Sequence, residues 1–159
     1  MFDQAVNVIL KHEGGLVNNP NDPGGITNFG ISKRSYPEVD IYNLTKEQAK
    51  DIYLNDYWKL LQLYRIDNAN VCLELFDFSV NAGMSRAVKL AQKLTGTRED
   101  GILGVITAKA INEFHKDFVK SYKHARIIYY ESLVLNNSEL KIFLKGWIRR
   151  VETNYFINI

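Results

Sequence analysis

Residues 12–30 read HEGGLVNNPNDPGGITNFG. Upstream, over residues 3–13, Val6, Ile9 and Leu10 share one stripe beside Phe2, the i, i+3, i+4 pattern of an amphipathic helix. Asp3 stands where an N-cap or a first-turn acid belongs. Gly14 and Gly15 end the helix, because glycine adopts the left-handed conformation without a steric penalty. Glu13 has no such account. Lys11 and His12 suit the partial negative charge of a helix C-terminus, and Glu13 opposes it. A partly desolvated carboxyl facing backbone carbonyls is favoured in its protonated form, which is the form a general acid needs. The plain alternative is a solvated surface glutamate.

Asp22 is the second carboxylate of the stretch. In Asn21-Asp22-Pro23-Gly24 it occupies position i of a turn with Pro at i+1 and Gly at i+2, a type II signature that accounts for it on local grounds. The functional reading sets it opposite Glu13 across a cleft. Two carboxyls on either side of a bond are the apparatus of glycoside hydrolysis, one protonating the leaving oxygen and the other assisting water or attacking directly. Thr27 can hold a water beside Asp22, although a β-branched residue in a strand is the simpler local reading. The run Ile26–Ser32, ITNFGIS, predicts a hairpin of small strands.

The rest of the chain reads as helix. Thr45 with Gln48 three residues on forms a capping box, opening a helix to about Leu61 with Ala49, Ile52, Tyr53 and Leu60 inward. Asp67 to Asn81 contains VCLELFDFSV and predicts the central core helix. Another helix runs from Ser85 to Thr95, and Asp100-Gly101 marks a turn. A further helix starts near Val105 or Ile106 and continues to about Asn136, and a last one carries Phe143, Trp147 and Val151. The expected architecture is mostly α, a helical bundle with a small β-hairpin beside a catalytic cleft. A boundary near residue 83 gives a catalytic lobe over 1–83 and a helical C-terminal part over 84–159, packed on the first.

Composition bounds the function. The 159 residues are 46% hydrophobic and 24% charged, with a net charge of +2, the balance of a soluble globular protein. The excess charge is too small for a dedicated nucleic-acid binder, and no helix-turn-helix spacing is present. The single cysteine, Cys72, lies in an apolar run, so it predicts a buried inert thiol and neither a disulfide nor a Cys-rich zinc site. His12-Glu13 opens like a zinc motif, but Leu16 stands where the second His is required. The Asn18–Asp22 cluster lacks the alternating ligands of a calcium loop. No cofactor and no metal are expected. The N-terminus reads as lacking a Sec signal, and no apolar run is long enough to insert in a membrane. Lys89, Lys93, Lys109, Lys116, Lys120, Lys123, Arg149 and Arg150 read as solvated helix faces. Glu74 and Asp77 read as partners of arginine or backbone groups.

The stretch Glu13-Gly14-Gly15-x-x-Asn18-x-Pro20-Asn21-Asp22-Pro23-Gly24-Gly25-x-Thr27-Asn28-Phe29-Gly30-Ile31 resembles the signature of glycoside hydrolase family 108, phage and bacterial N-acetylmuramidases of the lysozyme superfamily. Leu75-Phe76-Asp77-Phe78-x-Val80-Asn81-x-Gly83 is similar to that family's central helix. Asp100-Gly101-x-x-Gly104-x-x-Thr107 and Lys145-Gly146-Trp147-x-x-Arg150-Val151 are similar to its C-terminal segment, described as a predicted peptidoglycan-binding domain. The chain departs from the common pattern at Leu16, where an aromatic is usual, at Asn19, where Asp is usual, and at Val105, where Pro is common.

The resemblance implies a lysozyme-type enzyme that cleaves the β-1,4 bond between N-acetylmuramic acid and N-acetylglucosamine. It makes Glu13 the catalytic acid and gives Asp22 and Thr27 the attacking water, with an inverting outcome and carboxyls about 6.5–9.5 Å apart. Asn28, Asn81 and Tyr57 are candidate substrate-binding residues. Tyr36, Tyr53, Tyr57 and Trp58 supply aromatic rings, of which one or two at most are expected in the cleft. The implied partner is the peptidoglycan glycan strand. The protein is expected to act as a monomer, made in the cytoplasm and reaching the wall through a holin or a dedicated secretion route. The rival reading is a non-catalytic wall-binding module on the same fold.

Overall fold

The computed structural model describes residues 1–18, 25–115 and 117–154. Among them are seven α-helices and one two-stranded antiparallel sheet, the mostly α, lysozyme-like α+β fold expected. Contacts group the chain into two compact units, Met1–Asp56 and Tyr57–Ile159.

In the first unit, α1 (Phe2–Glu13) buries Ala5, Val6, Ile9 and Leu10 along one stripe and carries Asp3 in its first turn. Gly14, at φ +74°, closes the helix by donating its N–H to Leu10 O at 3.2 Å. Strands β1 (Thr27–Asn28) and β2 (Ile31–Ser32) pair Thr27 with Ser32 and Asn28 with Ile31. Helix α2 (Lys46–Tyr53) begins with the predicted capping box. Thr45 Oγ1 accepts from Gln48 N at 3.2 Å, and Gln48 Oε1 accepts from Thr45 N at 2.9 Å.

Helix α2 ends sooner than its sequence predicts. From Leu54 to Lys59 the chain is π-helical. A π turn holds more residues than an α turn, so every later side chain is rotated away from its extrapolated position. Leu60, expected inward, is 64% exposed, and Leu61 is buried in its place.

The second unit is built around α3 (Ala69–Ala82), capped by Asn68, whose Oδ1 accepts from Asn70 N and Val71 N. Every residue from Val71 to Ser79 is buried, as the continuous apolar run predicts. Helix α3 packs against α4 (Met84–Thr95) and α6 (Phe118–Asn136), α4 packs against α5 (Val105–Asn112), and α6 packs against α7 (Lys141–Thr153). Residue 83 thus falls between two packed helices of one unit. The helix expected from about 105 to 136 is two helices. The second starts at Asp117, whose carboxylate accepts from Lys120 N at 3.1 Å. None of the described helices is long and apolar enough to cross a membrane.

A charged cluster lies inside this unit. Arg126, fully buried on α6, bonds Glu74 and Asp77 of α3 at 2.6 Å each. Arg150 of α7 bonds the other oxygen of Asp77, and Lys123 approaches Glu74 at 3.4 Å. Asn154 Nδ2 completes the set on Glu74 at 2.9 Å. Lys123 and Arg150 are therefore not the solvated charges their sequence positions indicate. Helix periodicity alone does not report that α3 presents one carboxylate to each. Lys116 lies outside the described residues, and the remaining cations of that group are exposed. Burial pushes Glu74 up, with Arg126 and Lys123 offsetting part of the rise. Burial pushes Asp77 the same way, but Arg126 and Arg150 outweigh it and hold the carboxyl below its usual range.

Cys72 is buried, and its thiol faces Leu63 O and Ile66 O. Burial raises that thiol to about 12.

Candidate active site

The hairpin turn is the centre of the first unit's site. Two residues, Phe29 and Gly30, join β1 to β2, with φ +51° and +79°. Positive φ at both central positions is the requirement of a type I′ turn, whose twist matches the flanking strands. Glycine meets that requirement freely. Phenylalanine does not, and a bulky residue there is strained. Two contacts hold the turn in place. Tyr53, the last residue of α2, donates its hydroxyl to Phe29 O at 2.9 Å. Asn28 Nδ2 donates to Ile41 O at 3.1 Å and Leu44 O at 3.4 Å.

Gly30 is also where Glu13 arrives. A methyl group placed on Gly30 would lie 2.5 Å from Tyr53 Oη and 2.8 Å from both Cγ and Oε2 of Glu13. No side chain fits at those distances. The absent Cβ therefore makes the space that the half-buried Glu13 carboxyl and the Tyr53 hydroxyl share. The carboxyl sits at the last residue of α1, against the turn of the hairpin, and the tip of α2 closes the same space.

Thr27 is fixed from the other side of the sheet. Its N–H donates to Val17 O at 2.9 Å, and its carbonyl accepts from Val17 N at 2.7 Å. Val17 lies four residues beyond Glu13, so one short segment both follows the end of α1 and pairs with β1. Both backbone polar groups of Thr27 are thereby engaged with Val17. Asp22 lies outside the described residues.

The three expected substrate-binding residues fall in different settings. Asn28 is buried, and both amide hydrogens face main-chain carbonyls, so its evident task is to fasten the hairpin to residues 41–44. Tyr57, in the second unit, is half-buried and tilts against Phe76 with ring centroids 6.5 Å apart. Asn81, on the last turn of α3, is exposed and accepts the Tyr130 hydroxyl at 2.5 Å. Of the other aromatics, Tyr36 donates to Asp56 at 2.8 Å, and Trp58 is buried edge-on against Phe76. Sequence reading missed the roles of Gly30 and Tyr53. Asn-Phe-Gly between two short apolar runs was the available signal for the turn, while the partnership with Tyr53 spans 24 residues and has no local mark.

These residues can be set beside known proteins. Residues 6–83 match the family model of glycosyl hydrolase 108, and residues 86–152 match that of a predicted peptidoglycan domain. A solved structure, that of Brucella abortus SagA, superposes with a TM-score of 0.79 at 32% identity, covering 95% of this chain and 89% of that one. The chain belongs to glycoside hydrolase family 108. No curated protein matches it.

A hydrolase segment followed by a peptidoglycan segment makes this family 108 member a peptidoglycan hydrolase. The second segment of the family 108 chain has its own organising residue. Gln92 of α4 is fully buried, and its amide nitrogen, Nε2, faces Asp100 Oδ1 at 2.8 Å, Ile102 O at 3.1 Å and Thr107 Oγ1 at 3.1 Å. Its Oε1 accepts from Gly101 N at 2.9 Å. The motif Asp100-Gly101-x-x-Gly104-x-x-Thr107 is thus a loop wrapped around one glutamine.

Proposed function

We propose that this enzyme is an N-acetylmuramidase that cleaves the β-1,4 bond between N-acetylmuramic acid and N-acetylglucosamine with inversion. The observation that carries the reading is the Glu13 carboxyl, seated at the end of α1 in the space left by Gly30 and bordered by the Tyr53 hydroxyl. A carboxyl fixed by a helix end and a turn is presented to a bound bond with little freedom to lose, as a general acid requires.

In this mechanism Glu13 delivers its proton to the O4 atom of the leaving N-acetylglucosamine. The bond from that oxygen to the anomeric carbon of N-acetylmuramic acid breaks. Water attacks the anomeric carbon from the opposite face and gives its proton to Asp22, with Thr27 holding the water through its hydroxyl. The product is a reducing muramic acid end of inverted configuration. No cofactor takes part. The enzyme reaches the wall by holin-type release or a dedicated secretion route, acts there as a monomer, and serves in bacteriolysis of the phage endolysin kind.

The test is digestion of purified cell-wall sacculi by wild type and Glu13→Gln, with mass analysis of the fragments and NMR of the first-formed anomer. The expected result is muropeptides with reducing muramic acid, α-anomer first, from wild type alone. Reducing glucosamine ends would move the cut to the other glycosidic bond. Sacculus binding without cleavage by either protein would make the chain a wall-binding module.

A further inference from the structure

In the second unit, away from the Glu13 segment in sequence, a groove of about 630 Å³ opens between residues 64–67 and α5. Its mouth carries Tyr64, a residue 67% exposed. Two neighbours, Gln62 and Arg65, hold the ring in place. Gln62 adopts φ +52°, a left-handed conformation that a non-glycine residue takes only when its surroundings enforce it. From there its Oε1 accepts Arg65 Nε at 2.7 Å and the Tyr64 hydroxyl at 3.4 Å. The Arg65 guanidinium lies over the Tyr64 ring, 5.3 Å from its centroid.

The opposite wall is equally fixed. Asn112 of α5 donates to Arg65 O at 3.0 Å and accepts from Asp67 N at 3.2 Å. This two-point clamp ties the 65–67 segment to the helix. Val105 and Ala108 give the groove an apolar floor, while Lys109 and Glu113 stand at its edge as an exposed pair 3.9 Å apart. Such a surface pair contributes little to stability and is readily re-formed around a ligand.

We infer that this groove is a second binding site for the glycan strand, in which an N-acetylhexosamine ring lies on Tyr64. The inference rests on the peptidoglycan hydrolase reading for its choice of polymer, and on this groove for its place. A pyranose has an apolar C–H face and a rim of polar groups. The groove offers an aromatic plane, an apolar floor and a rim holding both signs of charge, Arg65 and Lys109 with Asp67 and Glu113. Balanced charge does not favour a polyanion, and the hydroxyls and acetamido group of an amino sugar both donate and accept. The groove also joins the two matched segments, since Tyr64–Asp67 lie in the hydrolase match and α5 in the peptidoglycan match. A site of this kind keeps the enzyme on the strand between cuts by raising the local concentration of the next bond.

The experiment titrates the full chain carrying Glu13→Gln with the tetramer of β-1,4-linked N-acetylglucosamine, followed by amide chemical shifts. Shifts around Tyr64 and α5 are expected as a set distinct from those around Glu13. Tyr64→Ala should weaken this set about tenfold and leave the Glu13 set unchanged. Gln62→Gly should weaken it as well while preserving the fold, since the positive φ suits glycine. In wild-type background, Tyr64→Ala should slow sacculus digestion and spare digestion of short soluble fragments. Absence of shifts at the groove, or shifts insensitive to Tyr64→Ala, overturns the inference. Muramyl dipeptide shifting the groove where the tetramer does not overturns it also, in favour of the stem peptide. Tyr64-dependent tetramer binding in a protein that cuts no wall would uphold the groove and sink the hydrolase reading instead.

Discussion

The hydroxyl of Tyr53 donates a 2.9 Å hydrogen bond to the carbonyl of Phe29, a residue held at φ +51°. The bond joins the end of α2 to the turn against which the Glu13 carboxyl rests. Tyr53 thereby fastens the strained turn and borders the space that the Glu13 carboxyl enters. Tyr53→Phe keeps the buried ring and removes this bond. It should lower stability by about 1 kcal/mol and reduce kcat by roughly tenfold or more with KM nearly unchanged. Thermal melts beside steady-state kinetics on sacculi separate the two effects. An unchanged kcat would show that the turn keeps its geometry without the tyrosine hydroxyl.

Gly30→Ala places a Cβ within 3 Å of Glu13 and of the Tyr53 hydroxyl, at a φ of +79°. The strain of a left-handed alanine is about 1–2 kcal/mol, which a folded domain of this size survives. The displacement of the carboxyl is the larger consequence. Activity should fall about a hundredfold or more, with the circular dichroism spectrum retained. Retained activity would mean that Glu13 works from elsewhere.

Asp77 and Glu74 respond to pH with opposite sign. Asp77 is held below its unfolded value because Arg126 and Arg150 overcome the effect of burial. Its contribution to stability is complete above the unfolded pKa, about 4, and is lost as pH falls through the lowered folded value. Glu74 is raised by burial. Its contribution is complete below its unfolded pKa and is lost as pH rises through the raised folded value. Asp77→Asn should therefore flatten the acid limb of a stability–pH curve, whereas Glu74→Gln should leave that limb and change the curve above about pH 4. Arg126→Met leaves both carboxylates buried without their shared partner and should cost about 3–5 kcal/mol. Urea denaturation at several pH values measures all three.

Gln92→Leu removes the amide around which residues 100–107 are wrapped, leaving Gly101 N and Thr107 Oγ1 without their partner. A loss of about 2–4 kcal/mol is expected from several unmet buried groups. Faster hydrogen exchange should be confined to the 100–107 loop and the start of α5. Uniform protection across that loop would mean that other contacts hold it.

Cys72 should be inert to thiol reagents in the native protein, because the thiol is buried and its titration lies at about 12. Labelling in mild denaturant then reports opening of α3. Rapid labelling of the native state at neutral pH would contradict the burial.

Helix positions were legible where the cause is local. The stripe of α1, the Thr45–Gln48 box and the apolar run of α3 each follow from residues within a turn or two of one another. The Glu13 anomaly is of the same kind, since charge against helix polarity is visible in a few residues. The glycoside hydrolase family was legible too, because its signature runs through consecutive positions from Glu13 to Ile31. Leu60 was misplaced because one π turn rotates everything after it, and no residue of LNDYWK signals that turn strongly.

Local chemistry thus settled most helix starts and the hairpin, because each is written in neighbouring side chains. The packed chain decided the rest, because its partners are far apart in sequence. Arg126 meets Glu74 and Asp77 across 52 and 49 residues, and Asp77 meets Arg150 across 73. Asn112 clamps Arg65 across 47. Tyr53 and Glu13 converge on Gly30, whose missing side chain matters only once three separate elements have brought those groups to it. Such meetings depend on where helices lie in space, and hydrophobic periodicity specifies which face of a helix is buried without naming what it is buried against.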